Sequence, residues 1–149
     1  MTRLISATRK IAVTDTDGNR YSIIFKLPSQ SRVRAIRKAS LGPDGNLDGA
    51  GFADKMTRET VELLLEVEGA QAAFDENPEH EMTVCSAMTQ EEIQGVKDFY
   101  RQNNLEYYPD APGWKAVFIT LFADVFERAT LDLWKGNSQN RLNEVGVGK

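Results

Sequence analysis

The residues with the spacing to do chemistry come first. Asp44-x-Asn46-x-Asp48-Gly49 matches the first half of an EF-hand loop, with oxygen donors at positions one, three and five and a glycine at six. The second half fails. Gly51 stands at position eight, and Lys55 at position twelve puts an ammonium where a bidentate carboxylate should close the shell. Four glycines and a proline between Gly42 and Gly51 make this stretch a polar turn. Asp15-x-Asp17-Gly18-Asn19 is a second partial match, with Arg20 at position six, and is better read as a hairpin turn.

His80 is the only histidine, flanked by Glu79 and Glu81, and has no second strong ligand nearby in sequence; it reads as a solvated loop residue. Cys85, the only cysteine, has no neighbouring base and reads as a buried structural thiol. A single cysteine precludes an intrachain disulfide and suits a reducing compartment. Glu91 and Glu92 serve a helix N-terminus better than a hydrolase site. The closing Gly146-Val-Gly148-Lys149 is no phosphate loop. We therefore expect no catalytic residues, no metal site and no cofactor.

The elements that would position these residues follow from periodicity. Ile11 and Val13, then Tyr21, Ile23 and Phe25, alternate with polar residues on either side of an Asp-Gly turn, which predicts a β-hairpin over 10–27 whose two central turn residues take positive φ. Pro28 ends it, and Ser29 or Ser31 can cap a helix over 29–41, apolar at Val33 and Ile36 and otherwise positive. Phe52, Met56, Leu63, Leu64 and Val67 share one face of a helix over 52–68, with Gly69 as its stop. Periodicity is weak from Ala70 to Ala87, with a short helical turn over 70–74. Thr89 and Glu92 form a capping box opening a helix over 89–102, with Ile93, Val96, Phe99 and Tyr100 inward.

The most apolar stretch is 112–135. Trp114, Val117, Phe118, Leu121, Phe122, Val125 and Phe126 step by threes and ones, which predicts one long helix of about 22 residues and about 33 Å. The expected fold is α+β, mainly helical: an N-terminal hairpin followed by about four helices. Residues 1–136 form one domain in this reading, and 137–149 a polar tail. No apolar run approaches membrane-spanning length.

Charge is unevenly spread. Up to Leu41 there are nine basic residues against Asp15 and Asp17, so this part carries +7 and the remainder −11 of a net −4. Such a basic quarter can bind polyanions, or dock on its own acidic body or on that of a neighbouring copy. Arg32, Arg34, Arg37 and Lys38 are its candidate contact patch. The stripe Trp114, Phe118, Phe122, Phe126 and Trp134 is core or, in part, a surface for a partner helix.

This layout resembles that of tail assembly chaperones of long-tailed bacteriophages and prophages. The likeness rests on the strand pair in IAVTDTDGNRYSIIFKLPS, the helix after its proline and serine, the closing amphipathic helices and the polar tail GNSQNRLNEVGVGK. It implies a non-enzymatic protein of the bacterial host cytoplasm that binds the tape-measure protein, keeps its hydrophobic helices soluble until the tail tube polymerises, and self-associates. The partner would be held by the aromatic stripe. Two other readings stand beside it. One is a multi-copy virion structural protein, a head–tail connector or tail component assembling through its basic N-terminal part. The other is a small nucleic-acid-binding regulator using the basic patch.

Overall fold

The computed structural model describes residues 5–39 and 49–134. The EF-hand-like segment 44–48, the basic residue Arg3, the polar tail and the side chains of Arg37 and Phe52 lie outside the described part.

The fold is α+β. Strands β1 (Thr8–Thr14) and β2 (Arg20–Lys26) pair antiparallel, Ile11 opposite Ile23 and Val13 opposite Tyr21. Their alternation buries Ile11, Val13, Tyr21, Ile23 and Phe25 on one face. The turn is built on Asp15. Its main chain closes a three-residue loop, with Gly18 N–H on Asp15 C=O at 3.1 Å and Asp15 N–H on Asn19 C=O at 3.0 Å. Gly18 takes φ +86°, but Asp17 does not take positive φ. The turn is thus a type I turn closed by a glycine bulge, not the two-residue turn that Asp-Gly suggests.

Helix α1 (Gln30–Ala39) starts at Ser29, whose Oγ accepts Arg32 N–H at 3.1 Å, and buries Val33 and Ile36. Helix α2 spans Gly49–Leu63. It does not continue to residue 68. Leu64–Glu68 is strand β3, which joins the hairpin as its third strand in the order β1-β2-β3. Leu64 and Val67 lie three apart, which is a helical spacing, and a regular strand would point them to opposite faces. A bulge resolves this: Ile24 pairs with Glu66 while Phe25 pairs with Leu64, so Leu65 is the extra residue and both apolar side chains face inward. The third strand also removes the instability of an isolated hairpin.

Gly69 then turns the chain at φ +92°, with Arg20 C=O so close that an added Cβ would sit 2.6 Å from it. Residues 70–74 are not a helical turn. Strands β4 (Gln71–Ala72) and β5 (Met82–Thr83) form a small antiparallel pair, extended by Val84 N–H on Ala70 C=O. Helix α3 (Gln90–Gln102) carries the complete capping box of Thr89 and Glu92.

The long apolar stretch is two helices, not one. α4 (Gly113–Leu121) ends at Phe122, whose backbone leaves the helical range at φ −124° and ψ 44°; α5 follows over 123–134. Phe122 N–H still reaches Phe118 C=O and Phe126 N–H reaches Phe122 C=O, so the break leaves both hydrogen bonds made. The Phe122 ring stacks on Phe118 and meets Tyr21 edge-on. α4 packs on α3, and α5 reaches α2 through Trp134 and β1 through Arg128. Side chains from the three-stranded sheet and from helices α1 to α5 share one continuous buried core. Among the described residues, no helix is long and apolar enough to cross a membrane.

Candidate functional site

The candidates for covalent or metal chemistry are dispersed. Asp15 is consumed by its own turn: Oδ1 accepts Asp17 and Asn19 N–H at 2.9 Å, and Oδ2 accepts the Tyr21 hydroxyl at 2.9 Å. Partial desolvation pushes its carboxyl up, but these hydrogen bonds outweigh it and hold it below the usual carboxylate range. The Tyr21 phenol is raised to about 12, first by burial, then by its bond to Asp15 and the charges of Asp15, Asp124 and Asp17.

His80 is exposed in the loop before β5, and Cys85 is half-buried rather than enclosed. Glu92 is occupied by the capping box. Among the described residues, no three His, Cys, Asp or Glu side chains converge as a metal site.

The basic patch is partly turned inward. Arg32 Nε lies 3.0 Å from Glu59 and its Nη2 lies 3.2 Å from Glu62, tying α1 to α2. Lys10 pairs with Glu68 across the outer face of the sheet at 2.9 Å, and Arg128 donates to Thr14 C=O. The Arg32 and Lys10 pairs set basic side chains of the first quarter against acids of the later chain. Arg34 and Lys38 are exposed on α1.

The aromatic stripe divides. Phe118, Phe126 and Trp134 are enclosed in the core, while Trp114 and Phe122 are partly buried against it. A groove opens beside the stripe on the same two helices, with Ala123 and Leu131 exposed in it and Phe126 as its buried floor. Ile119, Ala123, Phe126 and Leu131 line one wall of this groove of about 300 Å³, and Met56 and Thr57 of α2 line the other. The exposed Glu127 stands at its margin, while the Thr130 hydroxyl is turned to Phe126 C=O at 2.7 Å. Positions 119, 123, 126–127 and 130–131 recur at helical spacing across the bend, so the wall is a single ridge with its lowest point at Ala123.

A second groove of about 300 Å³ flanks α4 on another side. Ile119 and Leu121 are two residues apart, about 200° around a helix, and Leu121 faces Phe74, Met82, Phe99 and Tyr100. Phe99 and Tyr100, expected inward, are only half-buried and line this groove; Phe74 and Phe99 rings are 5.4 Å apart. Sequence reasoning missed Phe74 because the β4–β5 pair that presents it is too short to show a period.

No family model, curated protein or solved structure matches this chain. The apolar lining of the grooves suits burial of apolar side chains of another segment along α4 and α5.

Proposed function

We propose that this chain is a non-enzymatic binding protein of the tail assembly chaperone kind, holding an apolar helix of the tape-measure protein in the groove between α2 and the α4–α5 pair. The supporting observation is the groove itself. It is open and apolar, its wall is a helical ridge with a small residue at mid-length, and its margin is acidic at Glu127. A ridge with a gap at Ala123 accepts large side chains spaced three and four apart on an incoming helix. The bound segment would be shielded from water while the charged exterior keeps the complex dispersed.

The test uses the two exposed wall positions, Ala123 and Leu131, not the partly buried Phe122. Ala123→Glu and Leu131→Glu would abolish co-purification of co-expressed tape-measure helical segments while leaving the circular dichroism melt within a few degrees of wild type. Retained co-purification with both variants rejects the reading.

A further inference from the structure

The sheet has two edges, and they are finished differently. On β3 the residues bonded to β2 are Glu66 and Glu68, so Val67 N–H points outward. The Glu66 carboxylate accepts that N–H at 2.9 Å and also the Ser86 N–H at 2.9 Å and the Ser86 hydroxyl, which seals this edge with the 84–88 loop.

On β1 the bonded pairs run from Ala7 with Leu27 to Asp15 with Asn19, so by alternation Thr8, Lys10, Ala12 and Thr14 turn their main-chain groups outward. Only the ends are plugged. Ser6 Oγ meets both Thr8 N–H and Thr8 C=O, and Arg128 holds Thr14 C=O. Between them, the N–H and C=O groups of Lys10 and Ala12 meet no partner among the described residues. Such a row is a template for another strand.

The symmetry of the open row identifies the occupant. Lys10 and Ala12 flank Ile11 equally, so the open main-chain groups are centred on that residue. An antiparallel copy turned about a two-fold there meets each open residue with the other, so that every open donor and acceptor of one edge faces its complement on the second. A two-fold axis at Ile11 sets Lys10 opposite Ala12 of the second copy, Arg9 opposite Val13 and Thr8 opposite Thr14. No like charges then stand directly opposite one another.

We infer that two copies of this chain join along β1, in antiparallel register about Ile11, into a continuous six-stranded sheet. The open Lys10 and Ala12 groups bond first and without rearrangement. Further pairing requires Ser6 to release Thr8 and Arg128 to release Thr14, so the dimer is reversible and concentration-dependent. The surface is separate from the helical groove, so either proposal can fail alone.

Sedimentation equilibrium of the full chain over a concentration series tests this. Ala12 is exposed and its N–H bonds nothing within the sheet, so Ala12→Pro removes only the outward donor. The wild type should dimerise and A12P should weaken the dimer at least tenfold. The register adds a signed test with two exposed substitutions. A12K sets an ammonium opposite Lys10 and weakens the dimer, while A12E sets a carboxylate there and tightens it. A general effect on folding would not produce opposite signs. A chain that stays monomeric at millimolar concentration, or an oligomer unmoved by A12K and A12E, overturns the inference.

Discussion

The indole N–H of Trp134 donates to Thr60 Oγ1 at 2.8 Å, and the same hydroxyl donates to Met56 C=O at 2.6 Å. Thr60 is wholly buried and Trp134 nearly so. One hydroxyl thus satisfies the indole of α5 and fastens it to the last turn of α2, the two helices that flank the groove. A leucine at position 60 would fill the space but strand the indole.

Thr60→Val keeps the shape and removes the acceptor. An unsatisfied buried donor costs about 1–3 kcal/mol, so urea unfolding should show a loss of that size. Trp134→Phe in the Thr60→Val background should cost less than it does in wild type, because the partner is already gone. Additive losses would show that the pair acts only through packing.

Gly69→Ala should be strongly destabilising although the residue is exposed. Its φ of +92° is one that L side chains rarely adopt, and the new Cβ would meet Arg20 C=O at 2.6 Å. A loss above about 2 kcal/mol is expected from backbone strain and steric conflict together. A melt unchanged from wild type would show that the turn after β3 can be rearranged freely.

The Asp15–Tyr21 pair predicts pH dependence at both extremes. The folded phenol is raised from 10.0 to about 12, so its contribution is complete below pH 10 and is lost as pH rises towards 12. The folded Asp15 carboxyl lies below 3.8, so its contribution is complete above that value and is lost as pH falls through the lower folded one. Tyrosinate absorbance should show a late step near pH 12 that Tyr21→Phe removes. If the step persists in that variant, it belongs to another tyrosine.

Glu66 predicts a second acid-sensitive point. Burial pushes its carboxyl up, but the Ser86 hydroxyl, Ser86 N–H and Val67 N–H together leave it below 4.5. Its contribution is present above pH 4.5 and disappears as pH falls through the folded value. Ser86→Ala should speed hydrogen exchange at the Ser86 amide several-fold near neutral pH while leaving the Ile93 amide, inside α3, unchanged. Equal acceleration at both sites would mean global destabilisation instead of a loosened edge.

What the sequence determined alone is what depends on neighbours a few residues away. Alternation placed Ile11, Val13, Tyr21, Ile23 and Phe25 on one face; Ser29 and Thr89 marked two helix starts by their side-chain oxygens. Three outcomes needed the tertiary structure. Leu64 and Val67 carry helical spacing, yet pairing with β2 through a bulge makes them strand, because the hairpin gains a third strand and the core gains both side chains. The stepping pattern of 114–126 continues through Phe122, yet the helix breaks there, where the Phe122 ring meets Tyr21 and Phe118. Periodicity gave the apolar face of that stretch but not its neighbours. Which side is enclosed, at Phe118 and Trp134, and which stays open, at Ala123 and Leu131, depends on where α2, α3 and the sheet come to lie. Local pattern records what a residue prefers; burial and pairing are set by residues distant in sequence, and only the folded chain brings these together.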